Sequence, residues 1–489
     1  MSYAAAIEEL NALAPELHTA PGRPRRKFSL TEIGVLLEAL GNPHRKFRSV
    51  LIAGTNGKGS TAATLASILN AAGLRVGLYT SPHLERANER IRVAGAEICD
   101  EDFAGAYFAV KSAAEKLVEA GTLAQPPSFF ETLTAMAFVY FAEQKIDIAV
   151  LEVGMGGRLD ATNIVDPLLS IITDISLDHT EWLGPTIAAI AREKAGILRR
   201  NGTLVTLPQH PEANQAIGEV ATELEVRGVS ATMYTPSLGT PANEPYALDV
   251  LGTTIEIASP LSGAHQQRNV ALAIAAAVEL AETHVFPITA GAIERGIRAT
   301  RWPARLERIS ARGVEWILDV AHNPAGAWAL RAGLREVLEA AGAKVLIFSC
   351  LRDKPVAEMA QILFPLFDEV IFAPIHSPRA TPMDELTAAA EATGTKALAA
   401  NSVEEALVVA RDIAAGPKGR DQNADAFGPA EAVPLLQNRP AEAVPLLQSH
   451  LEESFSASDA ALEESLVVVS GSVYLVGEVR ALLTHGAGR

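Results

Sequence analysis

Cysteine is nearly missing from this chain: 2 residues in 489. Cys99 and Cys350 lie far apart, so no disulfide framework is expected and a reducing compartment is. Uncharged apolar runs of the ~18 residues that a spanning helix needs are also missing, which argues against a membrane segment. Positive charge is in the minority, 41 Lys and Arg against 58 Asp and Glu, giving a formal net charge of -17. That balance disfavours non-specific binding to nucleic acid or to an anionic membrane, and an anionic substrate would need local basic residues. The N-terminus, MSYAAAIEELNALAPEL, lacks the basic start and apolar block of a signal peptide. A soluble cytoplasmic protein, and a monomer, is expected.

What is present is enough chain for two or three domains, with an ordinary hydrophobic share of 48%. The most informative stretch is Leu51–Thr61, LIAGTNGKGST. An apolar run breaks into Gly54, Thr55, Asn56, Gly57, Lys58, Gly59, Ser60 and Thr61, and a helix-compatible segment follows. Strand, glycine-rich turn, helix is the arrangement in which backbone N–H groups and a helix start converge on phosphate. Lys58 adds a full charge, and Ser60 or Thr61 a hydroxyl for magnesium. The pattern GxxxxGK[ST] is not met, because Gly59 stands between the lysine and the hydroxyls. An ordinary tight turn with a solvated lysine is the competing reading.

Taken in order, apolar residues recur at helical spacing over Ile7–Leu17 and Leu30–Leu40, with Ser29 and Glu32 placed as a capping box for the second. Between them PGRPRRKF is a basic loop, either a solvated linker or an anion contact. Val76–Tyr79 reads as a strand, and Thr80-Ser81-Pro82-His83 follows where open α/β sheets place ligand loops. The charged run from Glu85 to Arg92 reads as an exposed helix. A capped apolar helix covers 128–141. Asp147–Leu151 is a buried-strand pattern running into Glu152 and a glycine-rich stretch through Asn163. A carboxylate there is expensive to bury alone, so a cation nearby would account for it. Arg158 and Asp160 are expected to face the same cleft.

A strand at Leu169–Thr173 leads to His179, open between metal ligand and structural histidine. Ile187–Ile197 reads as a helix ending at glycine, with Lys194 exposed in its last turn and favoured by the dipole. Residues 201–262 read as short strands and turns. GAHQQRN then opens a long Ala-rich helix through Ala281, suited to a nucleotide or to a plain cap. The βα rhythm restarts after a boundary near 299, with strands at Glu315–Leu318, Lys344–Phe348 and Glu369–Ala373 and helices at Ala325–Ala340 and Ala357–Phe364. PAEAVPLLQ occurs twice within 416–462, which reads as a duplicated, mobile insertion. Leu466–Leu475 is a final strand and turn.

In this order the chain resembles the folylpolyglutamate synthase/dihydrofolate synthase family, the folate branch of the Mur ligases. The carriers are GNPHRKF, AGTNGKGST, TSPHLERANERIRV, FFETLTAMAF, LEVGMGGRLDATN, DHTEWLG, REKAGI, AHQQRNVALA, WPARLE, DVAHNP, RDKP and SGSVYLVGEV. They span nearly everything except 416–462. The resemblance implies an α/β fold: a P-loop-type ATP-binding domain with a parallel sheet over 1–299, and a smaller Rossmann-like C-terminal domain over 300–489. It implies that residues 54–61 bind the phosphates of ATP, that Ser81, Glu152 and His179 ligate magnesium, and that Lys194 is carbamylated. Asn269, Arg305 and Asp319 would hold the nucleotide. His322, Arg379 and Ser472 would surround the incoming glutamate, His322 in a catalytic role with Lys58 and Lys194. Phe130, Glu131 and Asp160 would approach the pterin, with the 24–31 loop nearby. The implied substrates are dihydropteroate or a reduced folate, L-glutamate and ATP. TSPHL and the D-A-T-N run suit the bifunctional bacterial enzymes. A peptidoglycan-precursor ligase, which usually shows GTNGKT, and a nucleotide-switch module without ligation chemistry are the alternatives.

Overall fold

The computed structural model describes residues 2–13, 29–237, 239–311, 314–415 and 465–485. Most of the basic 24–31 loop and the whole repeat at 416–462 lie outside these. By compactness the chain divides into Met1–Leu306 with Asn323–Gly333, and Glu307–His322 with Leu334–Arg489.

The first unit is built on an eight-stranded sheet. Its strands are β1 (Arg48–Ala53), β2 (Val76–Tyr79), β3 (Ile91–Val93), β4 (Ala96–Glu97), β5 (Ile148–Glu152), β6 (Leu169–Ile172), β7 (Thr203–Thr206) and β8 (Arg227–Ser230). They lie in the order β4-β3-β2-β5-β1-β6-β7-β8. From β2 to β8 every pairing is parallel, and β3 and β4 add an antiparallel edge. The central strands read as unbroken apolar runs because both faces are covered. In β1, Leu51 and Ala53 face one apolar layer while Val50 and Ile52 face the other.

The first layer is supplied by α1 (Tyr3–Ala12), α2 (Leu30–Ala39), α4 (Asp100–Glu119), α5 (Phe129–Glu143), α7 (Ile187–Ala195) and α8 (Pro211–Glu223). The second is supplied by α3 (Lys58–Ala71), α9 (Ala264–His284), α10 (Ala290–Ala299) and the hairpin of β9 (Tyr246–Val250) with β10 (Thr253–Ile257). A single turn, α6 (Thr180–Leu183), precedes α7. Gly296 lets α10 lie directly on α3, since a Cβ there would strike the Ile68 backbone. Ser67 Oγ donates to Gly296 O at 2.6 Å across the same contact.

Among the described residues the second unit has six strands: β11 (Glu307–Ala311), β12 (Val314–Leu318), β13 (Lys344–Phe348), β14 (Glu369–Phe372), β15 (Ala397–Ala399) and β16 (Leu466–Ser470). Their order is β11-β12-β16-β13-β14-β15, parallel except for the β11–β12 pair. Helices α12 (Val356–Leu363), α13 (Met383–Thr393), α14 (Val403–Ala414) and α15 (Val473–Thr484) follow strands in the α/β manner, as does α11 (Pro324–Ala340), which the division by compactness splits after Gly333.

Several sequence expectations are corrected. The charged 85–92 run is a 3-10 turn, Ala87–Arg90, followed by β3, and Arg90 is buried. Residues 201–262 contain the helix α8, whose buried face is mostly small: Ala213, Ala216 and Ile217. After β16 the chain turns at Gly471 and enters α15 within two residues. Ser29 caps α2 by accepting from Thr31 N at 3.1 Å; the first helix starts at Tyr3, four residues before the expected Ile7.

Candidate active site

Because β1, β2, β5 and β6 are parallel and in register, their carboxyl ends share one edge. The loops that leave them therefore stand side by side, where ligands of such sheets bind. At the end of β1, Gly54 has φ +153, and a Cβ there would collide with Thr173 beyond β6. Thr55 N and Asn56 N both donate to Asp174 O, at 2.9 and 3.2 Å, and Thr173 Oγ1 donates to Asn56 O at 2.8 Å. These bonds pin the turn and remove two amides from any phosphate cradle. Gly57, at φ +89, caps α3. The first intrahelical bond is Thr61 N to Gly57 O, so the amides of Gly57, Lys58, Gly59 and Ser60 precede it and face the helix entrance. Lys58 Nζ donates to Thr55 O at 3.1 Å. The hydroxyls of Ser60 and Thr61 are buried and have no hydrogen-bond partner among the described residues.

Glu152 ends β5 beside Ile52 and is 4% exposed. Burial pushes its carboxyl above the usual range, opposed by Lys58, by the Ser81 amide and by Arg305 and Arg90. Ser81 N donates to Glu152 Oε2 at 3.0 Å, so the loop after β2 meets the carboxylate through its backbone. Arg305 sits between two residues at positive φ, Ala304 and Leu306.

Lys194 is not exposed: it is 5% accessible, and its Nζ donates to Gly54 O at 2.6 Å. Glycines explain the inward turn. A Cβ on Gly157 would meet the Glu193 and Lys194 backbone, and one on Gly196 would meet Arg158. The loop after β5 thus lies flush on the end of α7 and turns the last helical residues into the sheet edge. Burial, with repulsion from Lys58, lowers the Lys194 amine to about 7, against the pull of Asp178 and Asp160. His179 opens α6 at φ +50, with Nε2 4.0 Å from Asp178 Oδ1. Asn269 is buried on α9, donates to Gln266 Oε1 at 2.9 Å, and packs its Oδ1 where a Gly57 side chain would lie.

The three residues expected near the pterin share structural duties. Glu131 completes a capping box by accepting from Ser128 N at 2.7 Å. Asp160 accepts from Met155 N and Thr162 N, both at 3.0 Å, while burial raises its carboxyl. Both line a cavity of about 120 Å³, with Ser29, Met155, Arg158 and Trp182. Arg158 and Asp160 line this cavity together, but Glu152, whose cleft they were expected to face, is not among its lining residues; Arg158 is held at 2.9 Å by Glu193. Phe130 packs beside it, its ring against Gly154.

In the second unit Asp319 and Ser472 follow the neighbouring strands β12 and β16. Asp319 Oδ1 accepts from Ala321 N at 2.9 Å, and Ser472 caps α15 by accepting from Tyr474 N. His322 Nδ1 lies 2.8 Å from Val320 O. Arg379, after β14, is tied to Asp353 at 2.5 Å.

Arg90 was hidden by its charged neighbours. Its Nε donates to His83 Nδ1 at 2.8 Å, its guanidinium lies 5.4 Å over the Phe129 ring, and its charge reaches Glu152. Burial and Arg90 hold His83 neutral, down to about 3. The signal available in sequence was alternation: Ile91 and Val93 flank Arg92 as strand residues do. Among the described residues no three His, Cys, Asp or Glu side chains cluster as a metal set. No helix among them is long and apolar enough to cross a membrane.

A glycine-rich helix entrance beside a buried carboxylate and a buried lysine, on a parallel sheet followed by a second α/β unit, is the arrangement of an ATP-dependent ligase of the Mur type. Residues 52–277 match the family model of the Mur ligase middle domain, and 304–420 that of the Mur ligase, glutamate ligase domain. The dihydrofolate synthase/folylpolyglutamate synthase of Bacillus subtilis is 38% identical over 75% of this chain and 85% of its own length. The Mycobacterium tuberculosis folylpolyglutamate synthase complexed with ADP superposes with a TM-score of 0.80 at 30% identity, covering 99% of this chain and 98% of that one. Escherichia coli FolC in complex with DHPP and ADP gives 0.75 at 28%, covering 100% and 99%. The chain belongs to the folylpolyglutamate synthase/dihydrofolate synthase family. It is an ATP-dependent acid–amino-acid ligase.

Proposed function

We propose that this chain joins L-glutamate to the free carboxylate of a pteroyl substrate, dihydropteroate or a reduced folate, through an acyl phosphate. The observation that carries this reading is the meeting of Gly57–Thr61, Lys58, Glu152 and Lys194 at one sheet edge. Residues 1–299 serve as the ATP-binding part and 300–489 as the glutamate-ligase part.

The amides entering α3 and the Lys58 ammonium bind the phosphates and draw charge from the γ-phosphoryl group, which is most of what phosphoryl transfer requires. The substrate carboxylate attacks the γ-phosphorus and ADP leaves. The glutamate nitrogen then attacks the acyl carbon, loses its proton, and phosphate leaves. Asn269, Arg305 and Asp319 are assigned to the nucleotide. His322, Arg379 and Ser472 are assigned to glutamate, and Phe130, Glu131 and Asp160 to the pterin.

The residues fit a divalent cation: two buried hydroxyls lack partners among the described residues, and a buried carboxylate is disfavoured as an anion unless positive charge comes near. Ser81, Glu152 and His179 would hold magnesium, which when bound neutralises phosphoryl oxygens. Lys194 fits carbamylation. An amine at about 7 is substantially neutral at physiological pH, and the neutral amine takes up carbon dioxide with release of one proton.

The test is phosphate release from ATP by the purified protein, with dihydropteroate and tetrahydrofolate assayed side by side. Release that requires magnesium, a pteroyl acid and L-glutamate together is expected. Release indifferent to both substrates would indicate a nucleotide switch, and dependence on a UDP-sugar peptide would indicate a cell-wall ligase.

A further inference from the structure

In GK[ST] loops the residue after the lysine carries the hydroxyl that faces magnesium. Here that residue is Gly59, and its side-chain space is already taken. The edge of the Trp302 indole lies there, with Cζ2 and Nε1 each 3.0 Å from where a Cβ would sit. Trp302 Nε1 is buried and has no hydrogen-bond partner among the described residues. A buried N–H without an acceptor is destabilising and calls for an explanation. The ring itself is held in place: Arg92 lies 5.5 Å over its centroid, and Arg92 is fixed by Glu89 O and Glu97. The same short segment carries Arg305, whose charge reaches Glu152.

We propose that Trp302 is a nucleotide-binding residue, its indole N–H donating to a phosphate oxygen of the ATP held at Gly57–Thr61. A donor cannot take over the cation-binding task of the missing hydroxyl. It can only meet an acceptor, and the acceptors that Lys58 and the α3 entrance attract are anionic oxygens. The glycine after Lys58 and the tryptophan at 302 then form one device: the loop gives up a side chain so that a donor from the segment after α10 can reach the phosphates. This inference rests on the nucleotide assignment of the 54–61 loop.

Two measurements test it on the intact chain. Four tryptophans give four indole N–H signals in a ¹⁵N-labelled sample, and Trp302→Phe identifies the one in question. Adding ADP is expected to move that signal downfield, as hydrogen bonding does. By calorimetry, Trp302→Phe keeps a ring for Arg92 and Gly59 but is expected to weaken ADP binding about tenfold, the scale of one bond to a charged acceptor. Lys58→Ala is measured in parallel. An unmoved Trp302 signal, or wild-type affinity in Trp302→Phe while Lys58→Ala loses binding, overturns the role of Trp302 alone. Unchanged affinity in Lys58→Ala removes the loop assignment and this inference with it.

Discussion

Lys194 acquires its chemistry from where two glycines allow it to go. With Gly157 and Gly196 letting the β5 loop close onto α7, the amine leaves water and loses proton affinity, to about 7. The native state therefore holds fewer protons on this group than the unfolded chain, whose value is near 10.5. Its contribution to stability rises as pH climbs from about 7 and is lost as pH falls through that value. Carbamate formation should follow the same neutral fraction. In ¹³C-bicarbonate, a carbamate carbonyl signal is expected to grow between about pH 6.5 and 8 and to be missing from Lys194→Arg. A signal that survives the substitution, or none in the wild type, contradicts the assignment. None of this was legible locally, since a lysine in a helix's last turn reads as exposed. Only the known family motif pointed inward. Glu152 was legible, because a carboxylate that ends a buried apolar strand is costly to keep there without a cation beside it.

At the scale of elements, the central parallel strands were read nearly to the residue because burial on both faces leaves continuous apolar runs, while the more exposed parallel strands β8 and β15 were not read individually. Elements without that signature were lost. α8 buries alanines rather than large side chains, and β3 alternates apolar residues with an arginine at the sheet edge. The α5 start was legible through its S-x-x-E spacing, and the reciprocal bonds are present, Glu131 N to Ser128 Oγ at 3.2 Å and Ser128 N to Glu131 Oε2 at 2.7 Å. Ser128→Ala is expected to lower unfolding stability by about 1 kcal/mol, read as a lower urea midpoint with unchanged slope. An unchanged midpoint would show that the cap is not needed, and that Glu131 is held for another reason.

For the molecule as a whole, the repeat at 416–462, read from its duplicated segments and composition as an insertion, lies outside the described residues. Its flanks are informative. Ser465 Oγ donates to Ala414 O at 2.6 Å, so the two described ends that border the segment lie side by side. Replacing 416–462 by a short Gly-Ser link is expected to give soluble protein with unchanged melting temperature and turnover. Insoluble protein would make the segment part of a core. The central claim is that the helix entrance at Gly57–Ser60, with Lys58, is where the triphosphate is held. A crystal structure of the ADP complex tests it most directly. The predicted result is a β-phosphate within hydrogen-bonding distance of those amides and of Lys58 Nζ; phosphates bound anywhere else would contradict it.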